Sequence, residues 1–470
     1  MLKIRLNENK SLDNILPICL LFEQLNKGLV PETKNIIIAT KQPVQIDFMS
    51  DIKMNIFEHM ESNVRSYCRM FPAVFVAAQG ATITDESGKT YIDFLSGGGA
   101  LNYGHNPSCM KEEIIKYINN NGLVHGLDLH TAAKAEFLKS FESSILKPRD
   151  LDYKLQFTGP TGANAVEAAL KLARQKKGRS NIIAFSNSYH GLSLGALAVT
   201  ANSFFRNEAF VDRHNVSFLP FDGYLGDSVN TIEYLDKTLK DPGSGVDLPA
   251  AVIVETVQAE GGINIARTEW LRELSNLCQK YGILLIVDDI QAGIGRTGTF
   301  FSFEGTGIYP DIVVLSKSLS GFGLPMSMLL LKPHLDQWQP GEHSGTFRGN
   351  NLAMLTATVA LQHYWQDDQL SLSVYHSGDI IHTELNKIIE PYSSEFVSVR
   401  GKGMLYGLQA STPQKAQRIT DSCYEQGLLV EICGPNSDVL KLSPPLTIEE
   451  DLLLKGLDIL NNSIAMNMKP

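Results

Sequence analysis

The amino-acid sequence predicts an α/β fold built on a mostly parallel seven-stranded sheet with helices on both faces. After residue 110, short apolar segments rich in Val, Ile and Leu alternate with segments whose apolar residues recur at helical spacing. Strands that are apolar throughout are typical of parallel sheets, because helices cover both of their faces. Ligands bind such sheets beyond the carboxyl ends of the strands. The predicted strands are 153–157, 181–185, 216–219, 250–254, 283–287, 312–315 and 327–331, and the predicted helices are 108–121, 131–145, 164–177, 231–240 and 268–281.

A smaller α+β domain is predicted from both ends of the chain, with residues 54–105 as its first part and 350–470 as its second part. Residues 106–349 then form the large domain. The smaller domain is expected to contain strands at 75–78, 81–85, 91–95, 397–408, 428–432 and 439–442, and helices at 352–365 and 371–389.

Residues 1–53 are predicted to be an N-terminal extension of unknown role, and a true translation start at Met54 is the alternative. Their apolar segment 15–22 is too short to span a bilayer and is interrupted by Pro17. It also lacks a clear small-residue cleavage site, so neither a membrane anchor nor a secretory signal is expected.

Charge and cysteine content narrow the class of protein. The net charge of −10 argues against a nucleic-acid partner, which would require a concentrated basic face. The six cysteines lack any CxxC pair, so neither a zinc site nor a disulfide framework is indicated. A location in the reducing cytoplasm is consistent with this pattern.

Lys317 is the first candidate catalytic residue. It follows the apolar segment 312–315 and precedes a turn of small residues, so its amine is expected at the carboxyl end of a buried strand. An amine among apolar neighbours loses its proton more readily and forms a Schiff base with a carbonyl, either of a substrate or of pyridoxal phosphate. The alternative is a solvated lysine at a strand end.

The turn 158–164 is a candidate phosphate site. It follows a predicted strand and opens a predicted helix, and free N–H groups at a helix N-terminus suit an anion. Gly162 and Ala163 would donate from the backbone and Thr161 from its hydroxyl. The alternative is a plain turn with Asn164 as the helix cap.

Two further strand ends carry groups that suit a planar ring. Tyr189 follows the strand 181–185, and an aromatic side chain there can stack on a cofactor, although a buried core tyrosine is the alternative. The neighbouring His190 fits a general base or a satisfied loop histidine. Asp288 follows the strand 283–287, where a carboxylate can pair with a protonated pyridine nitrogen, and Gln291 can reach a ring hydroxyl. A capping residue is the alternative for Asp288, and a metal site is disfavoured because no histidine lies at ligand spacing.

These four segments all lie at predicted strand carboxyl ends, where one ligand with a ring and a phosphate would contact them together. From Met54 to about residue 460, the chain also resembles the class III, or omega-amino-acid, aminotransferases, which are fold-type I enzymes that depend on pyridoxal 5'-phosphate. The family resemblance rests on VETVQAEGG at 254–262, VDDIQAGIGRTG at 287–298 and LSKSLSGFGLP at 315–325. The segments MESNVRSY at 60–67, LNYGHN at 101–106, TGPTGANAVEAALKLAR at 158–174, GTFRGNN at 345–351 and SPPLTIEE at 443–450 are similar to the branch that forms diaminobutyrate.

The resemblance implies a role for each cofactor-binding residue. Lys317 would carry the cofactor and move the proton, and Asp288 would pair with the ring nitrogen. Tyr189 would stack on the ring, and Gln291 would contact the ring oxygen. Thr161, Gly162 and Ala163 would hold the phosphate. Thr346 would reach the phosphate of the neighbouring subunit, which implies a homodimer or larger homo-oligomer with shared active sites.

The resemblance also implies that Arg400 grips the α-carboxylate of glutamate or 2-oxoglutarate, and that Glu260 pairs with Arg400 when an amino acid binds through its distal amine. The implied partners are amino acids and oxo acids or semialdehydes. Three alternatives stay open: another omega-amino substrate such as ornithine or 4-aminobutyrate, a pyridoxal-dependent decarboxylase, and a non-enzymatic pyridoxal-binding regulator.

Overall fold

The structure is a computed structural model that describes residues 56–206 and 215–468. The predicted extension, residues 1–53, lies outside the described residues. The chain divides into two compact units, one ending at Arg65 and the other beginning at Ser66. In the first unit, residues 56–60 are helical. All elements below belong to the second unit.

The second unit alternates strands and helices along most of its length. Its strands are β1 Phe75–Gln79, β2 Thr82–Asp85, β3 Thr90–Asp93, β4 Lys154–Phe157, β5 Ile182–Phe185, β6 Val216–Leu219, β7 Ala251–Val254, β8 Val257–Gln258, β9 Asn264–Ile265, β10 Leu284–Asp288, β11 Ile312–Leu315, β12 Met328–Leu331, β13 Phe396–Lys402, β14 Leu405–Ala410, β15 Leu428–Leu429, β16 Glu431–Cys433 and β17 Val439–Leu442. Its α-helices are α1 Tyr67–Met70, α2 Ser96–Gly99, α3 Ser108–Asn119, α4 Ala132–Phe141, α5 Gly162–Lys177, α6 Leu194–Ala198, α7 Thr231–Lys240, α8 Thr268–Tyr281, α9 Asn351–Tyr364, α10 Gln369–Ile389, α11 Pro413–Glu425 and α12 Glu450–Asn467. Short π or 3₁₀ turns lie at Glu142–Leu146, Lys147–Arg149, Lys317–Ser320, Pro333–Leu335 and Glu390–Tyr392.

The central sheet has seven strands in the order β4-β12-β11-β10-β7-β5-β6, which confirms the predicted architecture. Only β12 runs against its neighbours, pairing antiparallel with both β11 and β4. Every residue of β5, β7, β11 and β12 is buried, because helices cover both faces. The carboxyl ends of β5, β7, β10 and β11 therefore open along one edge.

Helix α5 begins at that edge, and its first turn has a defined cap. Thr161 and Asn164 form a capping box, and the helix ends at Gly178 in the left-handed conformation. A Cβ built on Gly162 would lie 2.7 Å from the Ile290 side chain and 3.5 Å from that of Ser316. The start of α5 therefore packs directly against the segments that leave β10 and β11.

Strands from the two segments assigned to the smaller domain share one sheet. Strand β15 pairs parallel with β3, completing the sheet β1-β2-β3-β15. A third sheet has the order β13-β14-β17-β16, and β8 pairs with β9. The domain boundaries at residues 105 and 349 stay predictions.

Three predicted elements differ from the structure. The strand predicted at 397–408 is a hairpin that turns at Gly403, whose φ is 59° and whose backbone packs against that of Arg296. The strand predicted at 428–432 is divided between two sheets, because β15 pairs with β3 and β16 pairs with β17. The helix predicted at 131–145 leaves α-helical geometry after Phe141 and continues as a π turn. Within the described residues, no helix is both long and apolar enough to cross a membrane.

Candidate active site

Lys317 lies two residues beyond β11, at the carboxyl edge of the central sheet. Its backbone has a φ of 49°, a conformation that non-glycine residues rarely adopt. Its Nζ donates a hydrogen bond of 2.8 Å to the carbonyl of Gly98, which lies in the glycine-rich segment after β3. Burial, partly offset by nearby Glu260, lowers the pKa of Lys317 to about 8. The amine is therefore held at a fixed position and is partly unprotonated near neutral pH.

Asp288 is the last residue of β10 and lies against β11, its Cα paired with that of Val314. Its Oδ2 accepts a contact of 2.7 Å from Nδ1 of His190, and both side chains are buried. Because a carboxylate can only accept, the histidine nitrogen that faces it carries the proton. Asp289, by contrast, turns into the core and binds Ser302, and burial raises the pKa of Asp289 to about 7. Of the acidic pair, Asp288 is thus the residue held at the strand end by an imidazole.

The predicted phosphate turn has the geometry of a helix N-terminus. Thr161 is the N-cap, and its hydroxyl lies 3.0 Å from Oδ1 of Asn164. Gly162 and Ala163 are the first residues of α5, where N–H groups have no acceptor within the helix. Asn164 belongs to the capping box and is not the cap itself. Donors and the positive end of the helix dipole therefore coincide at this turn.

Tyr189 and Gln291 lie near these groups. The backbone N–H of Tyr189 donates to Glu255, and the Tyr189 ring meets Phe205 edge to face, with ring centroids 5.5 Å apart. Burial and the charge of Glu260 raise the pKa of Tyr189. The amide of Gln291 lies 3.5 Å from the carbonyl of Gly98, which also accepts from Lys317. Stacking of Tyr189 on a cofactor ring stays a prediction.

Glu260 contacts a lysine that the sequence analysis did not identify. Its Oε1 lies 2.5 Å from Nζ of Lys441, whose side chain is fully buried, and that same Nζ lies 2.8 Å from Oε1 of Glu431. Burial opposes ionisation of Glu260, but the ammonium groups of Lys441 and Lys317 outweigh it and lower the pKa of Glu260. Glu260 is therefore an ionised carboxylate close to Lys317.

Arg400 does not pair with Glu260 in this structure. Its Nε donates to the carbonyl of Gly262 at 2.7 Å, and its Nη1 donates to Ser398 at 2.6 Å and to Gln409 at 2.8 Å. Glu260 contacts Lys441 here, and its pairing with Arg400 when a substrate binds through its distal amine stays a prediction. A fully buried ammonium group is stabilised by carboxylates beside it, and Lys441 has two of them, Glu260 and Glu431.

Thr346 lies apart from the other predicted site residues. It is exposed in the segment before α9, next to Phe347, which is also exposed. No contact within the described part of the chain joins its side chain to Lys317 or Asp288. Its predicted contact with a neighbouring subunit therefore stays a prediction.

His190 fits the satisfied loop histidine of the sequence analysis, and its partner, which the sequence did not identify, is Asp288. Two functional candidates, Lys441 and Glu255, escaped the sequence analysis, and each left a signal. Lys441 interrupts the apolar strand β17, and a lysine in a buried strand requires anionic partners. Glu255 directly follows β7, as Asp288 ends β10, and burial together with the charge of Asp288 raises its pKa well above the usual range.

The arrangement fits pyridoxal phosphate on chemical grounds. A helix N-terminus with small residues suits a phosphate, an amine of lowered pKa suits an aldehyde, and a buried carboxylate held by an imidazole suits a pyridinium nitrogen. The three groups lie along one sheet edge, since Gly162 packs against the side chain of Ser316 and the charge of Asp288 acts on Lys317. The start of α5, Asp288 and Lys317 thus lie along the same edge, and their joint contact with one ligand stays a prediction.

Comparison with known proteins identifies the family of this chain. Residues 64–464 match the family described as aminotransferase class-III. An uncharacterized aminotransferase of Sinorhizobium fredii is 56% identical over 88% of this chain and 92% of its own length. A diaminobutyrate–2-oxoglutarate transaminase of Wolinella succinogenes is 54% identical over 88% of this chain and 96% of its own length. An aminotransferase structure from Bacillus anthracis shares the fold, with a TM-score of 0.80, 23% identity and coverage of 90% of this chain and all of that one. The chain therefore belongs to the class III aminotransferases and uses pyridoxal 5'-phosphate as its cofactor.

Proposed function

We propose that this aminotransferase moves the amino group of L-glutamate to L-aspartate 4-semialdehyde, forming L-2,4-diaminobutyrate and 2-oxoglutarate. The observation that carries the choice of substrates is the 54% identity, over 96% of its length, with the Wolinella succinogenes protein, whose name gives diaminobutyrate and 2-oxoglutarate. We further propose that the product serves ectoine biosynthesis, because motifs such as LNYGHN and SPPLTIEE are similar to those of the aminotransferases of that pathway.

Each residue of the sheet edge has a proposed task. Thr161 and the N–H groups of Gly162 and Ala163 bind the phosphate at the start of α5. Asp288, held by His190, would pair with the protonated ring nitrogen, and the bound cofactor would supply an electron sink for the reaction.

Lys317 is proposed to carry out the proton transfers. Its amine is held at the Gly98 carbonyl and has a lowered pKa, so it can accept a proton from one carbon and return it to another. Tyr189 is proposed to cover one ring face and Gln291 to contact the ring oxygen. Both lie beside the segments that carry Lys317 and Asp288.

Arg400 and Glu260 are proposed to let one site accept the different substrates of the two half-reactions. The guanidinium group of Arg400 binds a carboxylate of glutamate, and Glu260 moves to neutralise Arg400 when a substrate binds through its distal amine.

A parallel assay tests the proposed substrates, with glutamate as donor and the semialdehydes of aspartate, succinate and glutamate as acceptors. We expect the aspartate compound to give the highest kcat/KM. A higher value for either of the others would reassign the enzyme, and carbon dioxide release from diaminobutyrate would indicate a decarboxylase.

We propose that the enzyme works in the cytoplasm as a homodimer with shared active sites. All five cysteines in the described residues are free, which suits a reducing compartment. Thr346 and Phe347 are exposed side by side, as a segment that reaches into a partner subunit would be in an isolated protomer. Light scattering gives the mass in solution, and Thr346→Ala is expected to weaken cofactor binding. A monomer with full activity would contradict the shared site.

A further inference from the structure

Lys441 occupies a position that the predicted reaction does not yet use. In the pairing of β16 with β17 its Cα lies directly opposite that of Glu431, so the sheet register fixes this ion pair. Glu431 is also held from the other side, because its Oε2 accepts from the hydroxyl of Tyr67 at 3.1 Å. Lys441 and Glu431 are thus rigid partners inside the protein.

Glu260 is the more accessible member of the cluster. Its side chain is 28% exposed, whereas that of Lys441 is 0% exposed and that of Glu431 is 3% exposed. It lies in the loop between β8 and β9, not in a strand. If Glu260 leaves Lys441, the lysine still has Glu431, so no unpaired cation is left buried. Glu431 therefore makes the movement of Glu260 energetically possible.

While Glu260 contacts Lys441, one nitrogen of the Arg400 guanidinium group is available for a ligand. Its Nε and Nη1 are engaged by Gly262, Ser398 and Gln409, and among the described residues nothing bonds to Nη2. Gly262, which accepts from Nε, is only two residues beyond Glu260 on the same loop. The loop that carries the movable carboxylate therefore also lines the open edge of the guanidinium group.

We propose that Lys441 and Glu431 form a dock that holds Glu260 away from Arg400 and so keeps Arg400 open to a dicarboxylate substrate. This rests on the proposed roles of Arg400 and Glu260. Glutamate binds while Glu260 is docked, and diaminobutyrate binds when Glu260 has moved to Arg400. Lys441 is a positioning residue, since it acts through Glu260.

Two variants of the dock are expected to act in opposite directions. In Glu431→Gln, Glu260 is the only carboxylate left beside Lys441. If Glu260 moved away, the buried ammonium group of Lys441 would have no anionic partner, so this movement becomes unfavourable. The KM for diaminobutyrate should rise about tenfold, whereas that for glutamate should stay within twofold. The double variant Lys441→Met with Glu431→Gln removes the dock, frees Glu260 for Arg400 and should raise the KM for glutamate about tenfold relative to Glu431→Gln alone.

Binding of glutarate, a non-reacting dicarboxylate, gives a readout that does not depend on turnover. Calorimetry on the holoenzyme should show about tenfold weaker glutarate binding in the double variant than in Glu431→Gln. When Glu260→Gln is added to both Glu431→Gln and the double variant, the two proteins should bind glutarate with the same affinity. A purely structural role of Lys441 would weaken both substrates equally, and a tenfold loss that persists without Glu260 would overturn the proposal.

A matched control is Lys402→Met, which removes a half-buried lysine from the same sheet. Lys402 faces Ser302 and Asp289 and not Glu260, so the ratio of the two KM values should stay within twofold. If the double variant fails to fold, Glu431→Gln alone still decides, because an unchanged KM for diaminobutyrate would contradict the dock.

Arg400→Gln distinguishes a wrong role of Arg400 from a wrong role of the dock formed by Lys441 and Glu431. If that variant binds glutarate as well as the parent, the proposed role of Arg400 is wrong. If Arg400→Gln weakens glutarate but the dock variants leave the KM ratio unchanged, only the dock is wrong.

Discussion

His190 and Asp288 are 98 positions apart in the chain, yet their side chains meet at 2.7 Å in the interior of the protein. His190 follows β5 and Asp288 ends β10, and β7 lies between these strands in the sheet. The contact fixes the orientation of the carboxylate and leaves Nε2 of His190 without a hydrogen-bond partner among the described residues. An acidic side chain buried in this way is suited to pairing with a ring cation.

Replacing His190 should therefore weaken catalysis without removing the cofactor. His190→Gln takes away the donor that orients Asp288, and residues that support a functional group in this way typically contribute about 10- to 100-fold. We expect kcat to fall by that factor, with the cofactor still bound as judged by its absorbance. Ser188→Ala is the control, since Ser188 is a buried neighbour that bonds to Val199 and not to Asp288. Equal losses in the two variants would argue against a specific role for His190.

Gly191→Ala tests the packing of the phosphate turn. Gly191 has a φ of 124°, and a Cβ there would lie 2.7 Å from that of Ala163 and 3.1 Å from its Cα. The added methyl group should displace the start of α5 and raise the dissociation constant of the cofactor by about tenfold or more, a loss of roughly 1.4 kcal/mol.

Gly178→Ala is the matched control at the other end of α5. Gly178 is also left-handed, with a φ of 60°, but a Cβ there has nothing within 4 Å. It should cost about 1 kcal/mol of stability, the penalty of an L-residue in the left-handed conformation, and leave cofactor binding unchanged. Weaker cofactor binding in both variants would show that the effect comes from helix stability and not from the turn.

The lowered pKa of Lys317 predicts a pH dependence. Burial shifts it from 10.5 to about 8, so between these values the unfolded chain binds more protons than the folded one, and stability of the cofactor-free protein rises with pH. Lys317→Met should be more stable than the parent below pH 8, and this advantage should shrink towards pH 10.5. Chemical unfolding of both proteins at several pH values measures the difference between their free energies of unfolding. A difference in stability that does not change with pH would contradict the lowered pKa.

The rate at which the cofactor attaches to the protein should follow the same ionisation. Only the unprotonated amine attacks an aldehyde, so the rate should rise with pH and level off above about 8. The change in cofactor absorbance after mixing measures this rate. A rate that continues to climb through pH 10 would indicate an ordinary lysine.

Arg296→Met should destabilise the fold strongly. Its fully buried side chain donates to the carbonyls of Met404 and Pro444 and to Oδ1 of Asn102 at 3.0, 2.6 and 2.7 Å. Loss of the guanidinium group leaves buried acceptors unsatisfied, at about 1–3 kcal/mol each. We expect a drop in Tm of several degrees, measured by calorimetry, and a much smaller drop for Arg272→Met, whose side chain is half exposed. Similar drops in both would contradict this role.

The sequence predicted the central sheet and the residues at its carboxyl edge, because both depend on local patterns. Apolar strands bury themselves, and the residue after each strand must then lie at the edge, as Asp288 and Lys317 do. The ion cluster of Glu260 and Lys441 was not predictable in this way, since it depends on the register of β16 against β17 and on a loop from a distant segment. The contact of His190 with Asp288 likewise depends on how strands far apart in sequence are ordered in the sheet.

Lys317 is proposed to bind the cofactor and to move the proton at the edge of the sheet. The most direct test is the absorbance of purified Lys317→Ala, followed by addition of glutamate, with Lys332→Ala as control because Lys332 also follows a buried strand but pairs with Asp311. We predict that Lys317→Ala lacks the visible band of the covalently bound cofactor and fails to convert glutamate, whereas Lys332→Ala retains both. A Lys317→Ala protein that keeps the band and transaminates like the parent would contradict the account.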